Sequence, residues 1–280
     1  MAKDSKIEWT HHTFNPWWGC ERVSPACKNC YAEAWARRLG LDLWSKNSPR
    51  RMLSDAYWGA PLGWDQEAAK AGRRDRVFCA SMADVFENRR DLDEPRERLW
   101  RLINETPHLD WLLLTKRPQL VGRFVPWDDT WPHNVWLGTT VENQKWAEKR
   151  VPYLLAQPAV VHFLSCEPLL GPLNLTRWLT RNGGVQAVEW VIAGGESGHR
   201  ARPMNPDWAR ALRDQCETYD VPFHFKQWGN WSPVEGNTDA RMVRSLAGVN
   251  GVPIQMINIG KKASGRKLDG REWDDVPYAA

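Results

Sequence analysis

Three cysteines near the N-terminus carry the clearest chemical pattern in this sequence. Cys20, Cys27 and Cys30 follow a C-x6-C-x2-C spacing directly before a predicted helix. Three thiolates can hold a metal centre, but structural zinc almost always takes four ligands. A cubane iron–sulfur cluster on three cysteines keeps one iron open to a substrate or cofactor. The spacing therefore favours a 4Fe–4S cluster with an open iron at this loop.

Two other interpretations of the loop stay open. A zinc ion could be completed by His11 or His12, and the three thiols could lie together without binding a metal. The remaining cysteines, Cys79, Cys166 and Cys216, lie in or beside apolar segments, and we predict that they are buried structural thiols.

The composition excludes several classes of protein. The chain has 280 residues with 38 Lys+Arg and 34 Asp+Glu, a formal net charge of +4, and 42% hydrophobic residues. No apolar run approaches the ~20 residues that a membrane-spanning helix needs. The N-terminal segment lacks the apolar core of a signal peptide, so we expect a cytoplasmic protein with reduced cysteines. The weakly basic charge is compatible with a polyanionic partner but does not require one.

Short apolar runs alternate with amphipathic segments along most of the chain. Because the runs are continuous rather than alternating, they predict parallel strands that helices cover. Helices are predicted after Asn205, from about Pro95, and over 144–155. The pattern predicts an α/β fold, a full or partial (β/α) barrel of parallel strands. The predicted strands are 6–9, 77–80, 111–114, 135–137, 160–164, 190–193 and 222–225.

Two regions of unequal size are expected. Residues 1–230 contain all the predicted parallel strands and form the partial barrel, with the cysteine-cluster loop at its N-terminus. Residues 231–280 are rich in glycine and basic residues, and their periodicity is weak. We expect them to form a C-terminal extension packed on the barrel.

Polar residues follow six successive predicted strands. Since the carboxyl ends of parallel strands meet at one edge, where active sites of α/β proteins lie, these residues predict a rim that binds a polar ligand. Glycines there would let the backbone approach the ligand, and a lysine would pair with a carboxylate or phosphate. The candidate ligand-binding residues are Ser81, Met82, Asp84, Lys116, Thr139, Glu142, Ser165, Gly194, Gly195 and Glu196.

Several longer motifs occur along the chain. They are Ile7-Glu8-Trp9-Thr10, Asn15-Pro16-Trp17, Gly19-Cys20, Val23-Ser24-Pro25, Cys27-Lys28-Asn29-Cys30-Tyr31-Ala32-Glu33, Leu114-Thr115-Lys116-Arg117-Pro118, Gly194-Gly195-Glu196-Ser197-Gly198 and Phe225-Lys226-Gln227-Trp228-Gly229. In these motifs the chain resembles the phage-associated three-cysteine-motif family, which is carried mainly by bacteriophages and prophages and is of unknown function. In its three-cysteine loop, strand–helix pattern and polar rim it also resembles the radical S-adenosylmethionine superfamily, whose loop is usually C-x3-C-x2-C with an aromatic residue where this chain has Asn29.

The resemblance implies a cofactor set and roles for the rim. It implies that Cys20, Cys27 and Cys30 bind a 4Fe–4S cluster, and that an electron from a donor such as flavodoxin or ferredoxin cleaves S-adenosylmethionine to methionine and a 5′-deoxyadenosyl radical. Lys116 would then pair with the cofactor carboxylate, and Glu196 would contact cofactor or substrate. Ser81, Met82 and Asp84 would lie near the methionine end, and Thr139, Glu142 and Ser165 would approach the ribose or substrate.

The phage context favours DNA as the partner. We expect an isomerase that acts on a modified pyrimidine, such as an amino-acid adduct on thymine, in the cytoplasm of a host cell. Two alternatives are a zinc-stabilised DNA-binding protein without catalysis and a nuclease with Asp84, Glu142, Glu167 and Glu196 around a hard metal. The candidate phosphate contacts are Arg73, Arg74, Arg76, Arg89, Arg90, Arg200 and Arg202, and the candidate base-stacking residues are Trp17, Trp18 and Trp228.

Overall fold

A seven-stranded parallel sheet organises the chain. The computed structural model describes residues 3–180, 187–234, 243–248 and 251–277. Its strands are β1 (His12–Phe14), β2 (Trp17–Trp18), β3 (Arg51–Met52), β4 (Asp75–Cys79), β5 (Leu109–Thr115), β6 (Val135–Thr140), β7 (Val161–Cys166), β8 (Trp190–Gly194), β9 (Phe223–Gln227), β10 (Trp231–Pro233), β11 (Val243–Ala247) and β12 (Pro253–Asn258).

The parallel sheet has the order β1-β4-β5-β6-β7-β8-β9 and forms a half-barrel. Every neighbouring pair is parallel, from the His12–Val77 register of β1 and β4 to the Val191–Phe223 register of β8 and β9. The predicted α/β class and partial barrel are therefore confirmed. Strands β2 and β3 form a small antiparallel pair, and β10, β12 and β11 form a separate antiparallel sheet.

The helices between the strands cover the convex face of the half-barrel. Three of them begin with a side-chain cap: the Ser54 hydroxyl accepts from the Tyr57 amide at 3.4 Å, the Asn143 side chain from the Trp146 amide at 3.3 Å, and the Asn205 side chain from the Asp207 amide at 2.9 Å. The three predicted helices are confirmed. The helices are α1 (Tyr31–Arg38), α2 (Asp55–Lys70), α3 (Asp93–Glu105), α4 (Val121–Phe124), α5 (Gln144–Leu155), α6 (Thr176–Leu179), α7 (Pro206–Thr218) and α8 (Lys261–Ser264).

Side chains alternate between the two faces of the sheet. Val135 and Leu137 of β6 belong to the large core beneath the helices. Trp136, between them, packs on the concave face with Phe163 and Trp190. The lower part of the half-barrel is thus filled by aromatic side chains. We call this aromatic layer the floor.

The predicted strand at 6–9 is wrong. These residues form a turn, in which the Thr10 amide donates to the Ile7 carbonyl at 3.2 Å, and the first strand begins later at His12. The turn places Trp9, which is 2% exposed, across the floor against Phe78 and Trp190. Burial of this large apolar ring outweighs the ladder that a longer strand would have made.

The chain after Trp231 leaves the barrel and then returns to it. Strands β10 to β12 lie beside the carboxyl end of β9, and the following tail pairs with the barrel again. The Phe225 amide donates to the Trp273 carbonyl at 2.9 Å, and the Trp190 indole donates to the Asp275 carbonyl at 2.9 Å. A domain boundary at residue 230 stays a prediction. Across the described ranges, no helix has the length and apolar character needed to cross a membrane.

Candidate functional site

The three cysteines lie on a loop, residues 19–30, that sits at the carboxyl-end edge of the half-barrel. We call this edge the mouth. The loop begins where the Gly19 amide donates to the Met82 carbonyl at 3.0 Å. Gly19 has φ +115°, and a Cβ there would lie 2.8 Å from the Leu43 carbonyl oxygen, so only glycine fits. The loop ends at Cys30, which caps α1.

One carboxylate–arginine pair contacts the start of the cysteine loop. The Asp84 carboxylate contacts Arg117 Nη1 at 2.9 Å and accepts from the Thr115 hydroxyl at 2.7 Å. Arg117 in turn donates from Nη2 to the Glu21 carbonyl at 2.9 Å and from Nη1 to Cys20 Sγ at 3.7 Å. Burial alone would raise the pKa of Asp84, but the Arg117 charge and these hydrogen bonds hold it below its usual value.

A second pair contacts the middle of the loop. Glu142 and Arg150 are 0% and 2% exposed, and Glu142 Oε2 lies 2.9 Å from Arg150 Nη1. The other carboxylate oxygen, Oε1, accepts from the Ala26 amide at 3.2 Å. Arg150 Nη1 also donates to the Thr140 carbonyl at 2.8 Å, which ties the pair to the end of β6.

A third pair contacts the end of the loop. Arg202 Nη2 lies 2.5 Å from Glu196 Oε1, and it also donates to the Pro25 carbonyl at 3.0 Å. Glu196 Oε2 accepts from Asn29 Nδ2 at 2.8 Å, and the same amide group donates to the Arg200 carbonyl. The three carboxylates that we predicted as ligand-binding residues are therefore engaged with arginines and with the cysteine loop.

A fourth ion pair lies at the mouth without touching the loop. Glu167 Oε2 is 2.7 Å from Lys226 Nζ, and their side chains are 18% and 13% exposed. Gln227 Nε2 donates to Glu167 Oε1 at 3.0 Å and to the Ser197 hydroxyl at 3.1 Å. Sequence reasoning did not include Lys226, Gln227 or Ser197 among the site residues. The polar ends of β7, β8 and β9 thus form one hydrogen-bonded group.

Three of the predicted rim residues remain available for a ligand. Lys116 follows the floor residue Leu114 by two positions, and Ser165 alternates with Cys166 of the core beneath the helices, so both lie on the concave side. Within the part of the chain that the structure describes, the Lys116 ammonium has no carboxylate partner. Gly194 lies beside the Glu167 carboxyl group, which a Cβ would approach at 3.4 Å. These residues and the fourth ion pair border the same part of the mouth.

The structure corrects the expectation for two other rim residues. Thr139 faces the helices rather than the mouth, and its buried hydroxyl donates to the Thr115 carbonyl at 2.8 Å. Thr140 is the residue of β6 that shares the concave side with Trp136. At Gly195, a Cβ would overlap the Trp228 carbonyl, so packing explains this glycine without a ligand.

Ser81 and Met82 support the loop through their backbone and side chains. The Ser81 hydroxyl lies 3.1 Å from Asn15 Nδ2, and the Ser81 carbonyl accepts from the Tyr31 hydroxyl at 3.0 Å. The Met82 side chain is buried against Trp18 and Leu43, in a cluster that Cys20 and Cys30 also contact. Both residues therefore lie directly beside the cysteines.

The predicted stacking roles are contradicted, whereas the predicted phosphate contacts stay a prediction. Trp17, Trp18 and Trp228 are 0%, 8% and 5% exposed, so their rings are packed in cores rather than free to stack. The arginines of residues 73–76 lie at the amino end of β4, far along the strands from the cysteine loop. Their partners, and that of Arg89, are internal: Arg73 pairs with Asp75, Arg74 with Asp110, Arg76 with the Trp9 carbonyl, and Arg89 with Asp91.

A basic groove lies next to the end of the cysteine loop. It encloses about 530 Å³ between the 199–202 segment and strands β10 to β12. Arg200 and Arg244 line it, and both are exposed. Among the described residues, neither guanidinium has a carboxylate partner, whereas Arg202 is paired with Glu196. Another cavity, of about 420 Å³, lies near Trp127 and His133 at the amino-end edge, away from the cysteines.

All six cysteines are free, and Cys79, Cys166 and Cys216 are fully buried, as predicted. In the described ranges, no three His, Cys, Asp or Glu side chains are grouped closely enough to hold a metal ion. Three cysteines on one loop are the ligand set that a 4Fe–4S cluster with one open iron would need.

The donors proposed for the two alternative metal sites are otherwise engaged. His11 Nδ1 accepts from the Arg76 amide at 2.8 Å, and His12 contacts Asp75 at 3.4 Å, at the amino end of the strands. These positions do not complete a zinc site at the loop. The four carboxylates of the nuclease hypothesis each have a cationic partner within 3 Å, which removes the negative charge that a hard metal needs.

The fold and site together define an α/β half-barrel protein with a three-cysteine loop held over its mouth. The chain belongs to the DUF5131 family of proteins of unknown function, whose model matches residues 4–277. The search of curated proteins found no match.

Solved structures of spore photoproduct lyase are similar to this chain at low sequence identity. The complex with dinucleoside spore photoproduct has 12% identity and a TM-score of 0.45. A doubly substituted form with bound AdoMet and the same dinucleoside has 12% identity and a TM-score of 0.47. In both comparisons the match covers 92% of this chain and 71% of the other.

Proposed function

We propose that this protein is a radical S-adenosylmethionine enzyme that acts on a nucleobase. The observation that carries the proposal is the position of Cys20, Cys27 and Cys30 on one loop, fixed over the carboxyl ends of parallel strands. Active sites of α/β barrels lie at this edge. The resemblance of the loop and strand-end motifs to the radical S-adenosylmethionine superfamily supports the same conclusion.

The residues at the mouth would have different binding roles. The three cysteines would hold a 4Fe–4S cluster, which when bound and reduced supplies the electron that cleaves S-adenosylmethionine to methionine and a 5′-deoxyadenosyl radical. Lys116 would bind the cofactor carboxylate, because it follows β5 on the concave side and its ammonium has no carboxylate partner among the described residues. Ser165, Glu167 and Lys226 lie at the ends of β7 and β9 at the mouth and would bind substrate. The aromatic floor excludes water from below.

Anaerobic reconstitution tests the cluster. We expect about four irons and four sulfides per chain, in proportion to a 4Fe–4S cluster, and 5′-deoxyadenosine after reduction in the presence of S-adenosylmethionine. Cys20→Ala, Cys27→Ala and Cys30→Ala should each lose the cluster, while Cys79→Ser, Cys166→Ser and Cys216→Ser retain it. Stoichiometric zinc without iron in the wild type would contradict the proposal.

Lys116 gives a direct test of the rim. Loss of a charge-assisted contact should raise the dissociation constant for S-adenosylmethionine by roughly ten- to a hundredfold in Lys116→Met. The exposed Lys145→Met is the matched control, since it removes the same charge outside the mouth. Equal affinity in the two variants would reject the role of Lys116.

Nucleic acid is the proposed partner, and the basic groove supports it. Arg200 is linked to the cysteine loop through Asn29, and the Arg244 guanidinium carbon lies 5.3 Å from the centroid of the Trp231 ring. Two guanidiniums without a carboxylate partner among the described residues, on the two sides of the groove, suit a phosphodiester backbone, whose phosphates they would neutralise. The groove would lead such a polymer to the mouth.

Salt-dependent binding tests the groove. If each arginine contacts one phosphate, Arg200→Ala and Arg244→Ala should each reduce the log–log salt slope of DNA binding by roughly one. Arg101→Ala, an exposed arginine on α3, is the control and should leave the slope unchanged. A wild-type affinity that does not vary with salt would exclude this partner.

The finer proposal is a phage enzyme that isomerises an amino-acid adduct on thymine, working in the host cytoplasm with flavodoxin or ferredoxin as reductant. It is supported by the resemblance to the phage-associated family and by the groove. Incubation with DNA that carries candidate modified pyrimidines, followed by nucleoside mass spectrometry, tests it. If the free modified nucleotide reacts as fast as the polymer, the substrate is the precursor pool rather than DNA.

A further inference from the structure

The cysteine loop is attached to the half-barrel by side chains from different strand ends. Arg117 follows β5, Glu142 follows β6, and Arg202 and Glu196 follow β8. They contact the loop near its start, its middle and its end, at the Glu21 carbonyl, the Ala26 amide, the Pro25 carbonyl and the Asn29 side chain. The contacts thus fix the loop along its whole length.

From this arrangement we infer that the three carboxylate–arginine pairs are positioning residues, which hold the cysteine loop in place before any cluster is bound. The inference rests on the proposed function only for the identity of the cluster, because the contacts exist in the protein itself. The pairs are Asp84–Arg117, Glu142–Arg150 and Glu196–Arg202.

Burial makes the three pairs suitable as anchors. All three carboxylates are no more than 5% exposed, so water competes weakly for them. Each arginine is oriented by its carboxylate, and Arg117 and Arg202 keep further N–H groups for loop carbonyls. A planar guanidinium can serve both partners at once, whereas a lysine ammonium cannot reproduce this fork geometry. Arginine-to-lysine variants therefore keep the charge and remove the second contact.

Arg117 has an additional role because it donates to the sulfur of Cys20. Hydrogen bonds and positive charge at a ligand sulfur stabilise the more negative, reduced form of an iron–sulfur cluster. Arg117 is therefore placed to raise the reduction potential of the proposed cluster. Asp84 fixes Arg117 through Nη1, the same nitrogen that faces Cys20 Sγ.

Hydrogen exchange of the metal-free protein tests the positioning role. We expect wild-type amides of residues 19–30 to be protected, and Arg117→Lys and Arg202→Lys to accelerate their exchange about tenfold, with the floor unchanged. The control is Arg210→Lys, because the Arg210–Asp269 pair at 2.8 Å lies on the surface away from the loop. Unprotected wild-type loop amides, or unchanged exchange in both loop variants, would overturn the inference.

The potential of the reconstituted cluster tests the role of Arg117 toward Cys20. Arg117→Gln should shift the midpoint potential to a more negative value, while Arg202→Lys, which touches no cysteine, should leave it unchanged. If Arg117→Gln does not fold, Arg117→Lys serves and should change the electron paramagnetic resonance signal. Equal potentials in wild type and the Arg117 variants would overturn this role. Failure of the wild type to form a cluster would reject the proposed function, whereas exchange still decides the positioning role.

Discussion

The floor and the mouth of the half-barrel are stabilised by different interactions. The floor consists of aromatic rings. The ring centroid of Trp190 lies 6.1 Å from that of Trp9 and 6.1 Å from that of Trp136. The mouth instead contains buried ion pairs, such as Glu142–Arg150. Apolar packing is non-directional and tolerates small shifts, whereas ion pairs with hydrogen bonds fix direction. The difference indicates that the floor contributes most to the free energy of unfolding, whereas the ion pairs of the mouth fix the positions of the groups that they contact.

The largest effect on stability is expected at the floor. Trp190→Ala removes a fully buried indole, and we expect the free energy of unfolding to fall by about 3–5 kcal/mol. Urea denaturation measures the loss. The exposed Trp35→Ala is the control and should change stability by less than about 0.5 kcal/mol. A loss below about 1 kcal/mol at Trp190 would show that the floor is not the main source of stability.

The equivalent test at the mouth uses the Glu142–Arg150 pair. Glu142→Gln leaves a buried guanidinium without its counter-charge, which should cost about 3 kcal/mol in unfolding free energy. The double variant Glu142→Gln/Arg150→Met should recover part of this loss, because the uncompensated charge is gone. If the double variant is less stable than the single one, the cost lies in packing rather than in charge.

The pH dependence compares the face beneath the helices with the mouth without removing a side chain. His162, at the start of β7 and beneath the helices, is 1% exposed, and burial lowers its pKa to about 4 despite the bond to the Gln157 carbonyl. The unfolded chain binds this proton below pH ~6.5. Stability should therefore fall by about 3 kcal/mol as the pH drops from ~6.5 to about 4.

Asp84 at the mouth changes stability in the same direction but in a lower pH range. Its pKa is held below the usual value, so its contribution is present above about pH 4 and is lost only as the pH falls through the lower folded-state pKa. Unfolding by urea at pH 7, 5.5 and 4.5 measures the first window, with exposed His133→Gln beside His162→Gln as the control. A His162→Gln variant with the wild-type slope would contradict the assignment.

The smallest effect on stability is expected at the Glu167–Lys226 pair, whose side chains are 18% and 13% exposed. Glu167→Gln should lower the unfolding free energy by about 1 kcal/mol, less than at Glu142, because both side chains keep some contact with water. Turnover should nevertheless fall if the pair binds substrate. The exposed Glu94→Gln is the control for both measurements. A large loss of stability would place Glu167 with the structural pairs instead.

The sequence predicted the parallel sheet well because the evidence for it is local. Each of the runs at β4 to β9 is apolar enough to be buried on both faces, and Asn143 and Asn205 mark helix starts by their capping chemistry. The predicted strand at 6–9 was wrong because the burial of Trp9 depends on Phe78 and Trp190, which are distant in the sequence. A local pattern contains no information about such a tertiary contact.

The site was predicted less completely for the same reason. The cysteines and the strand ends are visible in the sequence, but the partners of Asp84, Glu142 and Glu196 are arginines whose proximity depends on the fold. Thr140 could have been preferred to Thr139, since period-two alternation from the buried Trp136 places it on the concave side. The partnership of Glu167 with Lys226 spans two crossovers and had no sequence signal.

The side chains that anchor the cysteine loop mostly form hydrogen bonds with its backbone atoms. Arg117, Glu142 and Arg202 bind the carbonyl of Glu21, the amide of Ala26 and the carbonyl of Pro25. Such contacts do not depend on which side chains the loop carries. Saturation mutagenesis of Val23 and Lys28 should accordingly yield many functional variants, so the loop is a natural place to graft new specificity.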